Sequence, residues 1–313
     1  MSFYKLPLSW GAKGISMMKS NDSFVLNFAP TGMVPKRKDS PHVPLSSDEI
    51  VEQVHAAVEL GITVVHLHAR DQDGEPSHDI DLYGEIIGKI RSFAPELVVC
   101  VSLSGRKRPD FESRSGPLTL VGDRKPDMGS LTLSSLNFSR QASMNAPEMV
   151  QGLAKAMLDR GIVPELEAFD SGMINYANYL IKKGLVEAPF YFNLLLGNPA
   201  NAQADPLSFG AMLALLPEQS LWGVGGIGGT QAPSAMFGLA SGGGVRMGLE
   251  DNLFYNADRS RLATNQELLQ RVHVMAGLLG KRVMTPAEFR VAMKMAPGNG
   301  RYGRDLEKTA GQS

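Results

Sequence analysis

Eight short β-rich runs alternate with helical patterns along this chain, and that alternation limits its folds more than any other feature. The runs are FVLNFA (24–29), VVHLHA (64–69), LVVCVS (97–102), MGSLTL (128–133), VPELEAF (163–169), FYFNLLL (190–196), LWGVGG (221–226) and GVRMGL (244–249). Helical patterns cover 46–61, 80–93, 147–160, 172–184, 206–217, 231–240 and 264–280, and 109–123 reads as a longer irregular connection with a helical turn. The first pattern opens on Ser46 with Glu49 three residues later, a reciprocal capping pair, and closes on Gly61. Strands separated by helices pair in parallel, and eight such units predict a single-domain (β/α)8 (TIM) barrel. A doubly wound open sheet is the rival. It usually has fewer strands and a Gly-x-Gly-x-x-Gly loop after the first, whereas here PTGMVPKRKDSPHVP follows. With no repeat or linker in view, residues 24–292 read as the barrel, 1–23 as an N-terminal extension and 293–313 as a C-terminal tail without chemistry.

Composition removes several classes of function. In 313 residues, 43% hydrophobic and 20% charged residues suffice for a large core without staples. A formal net charge of -1 provides no global field for nucleic acid or an anionic membrane. No stretch approaches the roughly 20 apolar residues of a membrane span. The N-terminal MSFYKLPLSWGAKGISMMKSNDS lacks the continuous apolar core of a signal peptide and reads as an arm packing on a neighbouring subunit. Cys100 is the sole cysteine, so an internal disulfide is impossible, which suits a cytoplasmic protein.

In such a barrel, inward side chains recur every second residue and active sites form at the C-terminal strand ends. Strand two carries His66 and His68. Strand three carries Ser102, with Ser104 beyond, and strand four carries Ser130 and Thr132. Strand five carries Glu165 and Glu167, strand six Asn193, and strand eight Arg246, followed by Glu250 and Asp251. Burying such groups unpaired costs roughly 1–3 kcal/mol each, so their recurrence on six strands predicts a functional mouth. Two histidines two apart on a strand can point at one centre. An open catalytic zinc site typically has three protein ligands. Closure of the barrel places strand eight near strand two, which makes Glu250 the natural third ligand. The bland alternative is a pair of hydrogen-bonded barrel histidines. Both glutamates on strand five, Glu165 and Glu167, are candidates for acid/base work, with Glu167 the expected pocket residue; the bland alternative is that one of the two pairs with a neighbouring basic group.

VVHLHARD (64–71), KPDMGSLTLSSLNF (125–138), VPELEAFDSGM (163–173) and VRMGLEDNLFY (245–255) together resemble the β-keto acid cleavage enzymes, over about residues 24–292. The resemblance implies a barrel binding one Zn2+ or similar divalent ion. It implies a β-keto acid that reacts with acetyl-CoA to give acetoacetate and the CoA ester of the shortened acid. By motif, it implies His66, His68 and Glu250 as metal ligands, Asp251 as acid/base, Arg246 as its partner, and Ser102 and Ser130 as pocket residues. Thr132 lies in the same motif and reads with them as substrate-binding. A bound cation would hold the oxo acid and stabilise developing oxyanion charge. An arginine beside Asp251 is expected to lower its pKa and leave it a base at neutral pH. The resemblance also suggests a homotetramer or other homo-oligomer.

Three departures from the family pattern bear on the substrate. Where the member acting on an amino-substituted keto acid has a glutamate facing the substrate ammonium, this chain has Val34, so 3-keto-5-aminohexanoate is not the expected substrate. Gly244 stands where histidine is frequent. The loop SGRKRPDFESR (104–114) is basic, and Arg106, Lys107 and Arg108 are candidates for CoA phosphates or a second substrate carboxylate. Other metal barrels compete. Amidohydrolases place their H-x-H pair on strand one and need histidines on strands five and six, which are absent here. A class II aldolase would ignore CoA, and a non-catalytic barrel would carry a vestigial site. The glycine-rich GVGGIGGT (223–230) is a weak phosphate signal, and His42, His55, His78 and His273 read as helix or surface residues.

Overall fold

The computed structural model describes residues 22–306. Eight parallel strands close into a barrel in sequential order: β1 (Leu26–Phe28), β2 (Val64–Leu67), β3 (Val98–Val101), β4 (Met128–Thr132), β5 (Val163–Ala168), β6 (Phe190–Leu196), β7 (Ser220–Gly226) and β8 (Gly244–Met247). The expected extension at 1–23 lies, except for Asp22 and Ser23, outside the described residues, as do residues 307–313 of the tail.

Helices α1 (Ser47–Leu60), α2 (Ile80–Phe93), α4 (Pro147–Leu158), α5 (Ser171–Lys182), α6 (Pro206–Leu215), α7 (Gln231–Ala240) and α8 (Asn265–Leu278) lie where the helical patterns predict them. After β3, only the short α3 (Phe111–Ser115) and two 3-10 turns occupy the crossover. Local chemistry explains the boundaries. Both bonds of the Ser46/Glu49 capping box form, and α1 buries Ile50, Val54 and Ala57, four and three residues apart on one stripe. β6 is buried at every position, as a strand covered on both faces must be, and its FYFNLLL is correspondingly apolar.

Two of the expected runs give residues to pairings outside the barrel. Ser23–Phe24 pairs outside it with Arg282–Val283, and Ala69–Arg70 turns away to pair with Pro76–Ser77. The barrel interior is plugged from below. Val25, Val64, Val98, Cys100, Met128, Val163 and Tyr191 pack on Met284, Phe289, Met293 and Met295. Phe289 belongs to a ninth helix, α9 (Pro286–Ala292), that the strand–helix alternation does not predict. Its signal is local: Thr285 and Glu288 form a capping box around Pro286.

Beneath the barrel, Asp127 is fully buried and joins several segments. It pairs with Arg91 (2.6 Å) and with Arg290 (2.8 Å), and accepts from the backbone N–H of Val99 and of Gly303 at 3.0 Å each. Arg91 stacks on Tyr302, 3.7 Å from the ring centre, and Arg304 donates to the carbonyls of Glu187 and Pro189. The described part of the tail therefore packs on its own barrel floor. Among the described residues, no helix is long and apolar enough to cross a membrane.

Candidate active site

The polar strand ends meet at the C-terminal mouth. His66 projects from β2 and His68 follows it directly. Their Nε2 atoms lie 3.3 Å apart, and His68 Nε2 lies 3.1 Å from Glu250 Oε1. His66 Nε2 is 4.0 Å from Glu250 Oε2, a buried oxygen without a hydrogen-bond partner. Gly32 and Gly248 make room for this approach. Gly32 has φ +68°, and a side chain there would sit 2.6 Å from Glu250 Cγ. Gly248 has φ +153° and passes so close to the Ala29 carbonyl that a Cβ would lie 2.0 Å from its oxygen. Arg70 holds the Gly32 loop by donating to the carbonyls of Gly32 (2.5 Å) and Pro35 (3.0 Å).

Two ring nitrogens and a carboxylate oxygen, within 4.8 Å of one another, fit a divalent cation. His66 Nε2, His68 Nε2 and the Glu250 carboxylate face one another, and Glu250 Oε2 has no hydrogen-bond partner among the described residues. The two-imidazole, one-carboxylate set suits zinc or a similar ion and leaves a coordination position open. A second grouping, His66, Cys100 and Glu165, lies deeper and is fully buried. Burial, then the neighbouring Glu165, pushes the Cys100 thiol well above its usual pKa. It therefore behaves as a thiol on Glu165 rather than as a thiolate ligand.

Glu165 has a role that the sequence reading only half anticipated. It is completely buried, and its Oε2 lies 2.5 Å from His66 Nδ1. Its Oε1 accepts from Asn27 Nδ2 (2.5 Å) and Asn193 Nδ2 (2.7 Å). Burial alone would raise its pKa, but His66, Arg246 and the Asn27 amide hold it low. A carboxylate on Nδ1 fixes that proton there and turns the Nε2 lone pair toward Glu250. Glu165 is two residues deeper on β5 than Glu167, so it reaches the rear of the histidine. Replacing Glu165 by glutamine is expected to weaken divalent-metal affinity about 10- to 100-fold, since an amide N–H facing Nδ1 favours the wrong tautomer. Chelator competition measures this, and unchanged affinity would dismiss Glu165 as the orienting group.

Arg246 sits among four carboxylates. Its Nη2 is 2.8 Å from Glu250 Oε1 and its Nε 3.0 Å from Asp251 Oδ2, while Nη1 approaches Glu167 (3.8 Å) and Glu165 (4.0 Å). One planar cation thus orients both Glu250 and Asp251. The expected lowering of the Asp251 pKa is not what this geometry produces. Burial and the adjacent Glu250 carboxylate outweigh Arg246 and raise it. Burial also raises Glu167, which accepts a 2.7 Å bond from Thr132 Oγ1. His68 is pulled down to about 4, chiefly by burial.

The other candidate residues fall into different places. Ser102 and Ser130 are buried, and the Ser130 hydroxyl accepts from the Leu103 N–H at 3.1 Å, so it shapes the start of the β3 loop. Val34 lies two residues beyond Gly32, 52% exposed. Of the basic run, Lys107 pairs with Glu75, Arg108 is exposed beside Asp110 and His78, and Arg106 stacks on Phe138. His78 is not the surface residue expected. It is buried, and burial together with Arg114 and Arg108 draws its pKa down to about 4.

A closed parallel barrel with this cluster at its mouth defines a TIM-barrel enzyme. The chain belongs to the beta-keto acid cleavage enzyme family, whose sequence profile matches residues 23–295. It is 35% identical to the 3-oxoadipate:acetyl-CoA acetyltransferase of Cupriavidus necator, covering 86% of this chain and 94% of the relative. It is 32% identical to the 3-keto-5-aminohexanoate cleavage enzyme of Fusobacterium nucleatum, covering 88% and 98% respectively. A structure of ObcA in ternary complex with a C4-CoA adduct and oxalate shares the fold. Its TM-score is 0.71 at 21% identity, over 82% of this chain and 68% of that one.

Proposed function

We propose that this enzyme binds one divalent cation, zinc by ligand type, through His66, His68 and Glu250, and transfers the acyl part of a β-keto acid to CoA. The C2–C3 bond of the keto acid breaks. Its C3 acyl group passes to CoA, and the released CH2–carboxylate fragment joins the acetyl group of acetyl-CoA as acetoacetate. The observation that carries this reading is the convergence of the three ligand atoms beside the Arg246–Asp251 pair, in a chain of this family. The acetyl-CoA-dependent relative from Cupriavidus necator supports the choice of co-substrate.

When bound, the cation supplies Lewis acidity toward the keto-acid oxygens. The chain's own residues do the rest. Asp251 moves the proton of the methylene group, held in place by Arg246 Nε. Arg246 balances the carboxylates crowded at the mouth, and Glu165 fixes the His66 ring from behind. Ser102, Ser130, Thr132 and Glu167 line the pocket wall on β3 to β5, with Val34 on the opposite loop. Val34 offers no charge to an ammonium group, so the substrate is not 3-keto-5-aminohexanoate. The enzyme acts as a cytoplasmic homotetramer or other homo-oligomer, without nucleic acid or membrane partners.

The test is acetoacetate release from purified protein supplied with acetyl-CoA and a panel of β-keto acids, with and without metal. Glu250→Gln is expected to lose bound metal on dialysis and to slow release at least about 100-fold, as loss of a ligand must exceed loss of its outer partner. Full metal occupancy in that variant would remove Glu250 from the ligand set.

A further inference from the structure

The three cations of the loop after β3 do not behave alike. Lys107 is paired with Glu75 and Arg108 faces solvent. Arg106 turns back over the barrel mouth, its guanidinium carbon 3.4 Å from the centre of the Phe138 ring. Phe138 in turn meets Phe169 edge to face at 5.6 Å, at the end of the strand that carries Glu165 and Glu167. Arg114 anchors the base of the loop, donating to the Leu103 carbonyl (2.7 Å) and to Asn145 Oδ1 (2.8 Å). The stacking fixes the guanidinium plane, and its N–H edge has no hydrogen-bond or ion-pair partner among the described residues.

No carboxylate among the described residues pairs with Arg106. Burial depresses its pKa, and Glu250, Glu167 and Asp251 only partly offset that, so it shares their field without bonding to them. Each of those acids is already bonded elsewhere: Glu250 to His68 and Arg246, Asp251 to Arg246, and Glu167 to Thr132. A half-buried cation on an aromatic shelf, paired with no carboxylate among the described residues, suits an anion supplied from beyond them.

We propose that Arg106 is a specificity-determining residue that binds a second, distal carboxylate of the substrate, so that the preferred substrates are β-keto dicarboxylic acids. This rests on the β-keto acid reading of the site above. The distal carboxylate stays on the acyl fragment, so the product is the CoA monoester of a dicarboxylic acid. The phosphates of CoA are the other source of anionic charge. They are separated from the thioester by the whole pantetheine arm, whereas Arg106 shares the field of the acids around the reacting carbon.

The experiment compares a β-keto dicarboxylic acid with the β-keto monocarboxylic acid of the same length, in the full-length enzyme and in Arg106→Gln and Arg106→Lys. The dicarboxylate is expected to be preferred by the parent enzyme. In Arg106→Gln the ratio of the two kcat/KM values is expected to fall about 100-fold, mainly through KM, the size of effect seen when one partner of a desolvated charge pair is truncated. Arg106→Lys is expected to recover part of the ratio, by charge without the planar fork. Equal losses on both substrates, or a rise confined to the KM of acetyl-CoA, would overturn the proposal. Calorimetric binding of the two acids without acetyl-CoA reads the same preference independently of turnover. If no acid yields acetoacetate while the dicarboxylate binds in an Arg106-dependent manner, the reaction is wrong and the subsite stands. If the dicarboxylate has no advantage in binding or turnover, the subsite is wrong.

Discussion

Asp251→Asn is expected to lower kcat by about 10²- to 10⁴-fold, the usual range for removing a positioned general acid or base. Bound metal, measured by elemental analysis, is expected to stay. The substitution is isosteric. An asparagine oxygen can still accept from Arg246 Nε, now 3.0 Å from Asp251 Oδ2, so Arg246 keeps its orientation and its 2.8 Å contact with Glu250. What disappears is the ability to hold and return a proton. Burial and the adjacent Glu250 carboxylate raise the Asp251 pKa and bring it nearer the working pH, which favours proton transfer in both directions. The Asp251 carbonyl accepts from the Gly228 N–H at 2.7 Å, a backbone bond that survives the change and keeps the β7 loop against the β8 turn. Turnover surviving in a metal-replete Asp251→Asn enzyme would place the base elsewhere, with Glu167, also raised by burial, the next candidate.

Asp127→Ala is expected to destabilise the fold by about 3–5 kcal/mol, since it leaves buried arginines without their counter-charge. Arg91 and Arg290 are both almost fully buried, and Asp127 is their shared carboxylate. It also accepts the N–H groups of Val99 and Gly303. The loss therefore reaches α2, α9, β3 and the tail together. Urea unfolding followed by circular dichroism measures it, and a midpoint unchanged from the parent would show that the network contributes nothing net. The pH dependence has a definite sign. Burial acts to raise the Asp127 pKa, but Arg91 and Arg290 outweigh it and hold it below its usual value. Its contribution is thus fully present above the unfolded aspartate value of about 4 and is lost as pH falls through the lower folded value. Below about pH 4 the parent is expected to lose stability faster than Asp127→Asn, which cannot titrate there.

The barrel was legible because its strands and helices have different hydrophobic periods and carry their own punctuation. Ser46 with Glu49, and Gly61, mark α1 from residues that touch one another locally. The H-x-H pair and the Glu250–Asp251 step were legible as well, since strand alternation and barrel closure bring their strands near one another. Family resemblance then assigned them roles. The ninth helix was passed over although Thr285, Pro286 and Glu288 announce it, because the eight-unit alternation was already complete at α8.

What the sequence determined by itself is therefore the order of elements and the set of side chains at the strand ends, properties set by local periodicity. Only the tertiary structure decided which of two glutamates on β5 supports His66. It alone turned Arg106, and neither of its basic neighbours, toward the mouth, and raised rather than lowered the Asp251 pKa. Each of these outcomes depends on depth, distance and desolvation. Those quantities arise when residues far apart in the chain are packed together, and no local pattern encodes them.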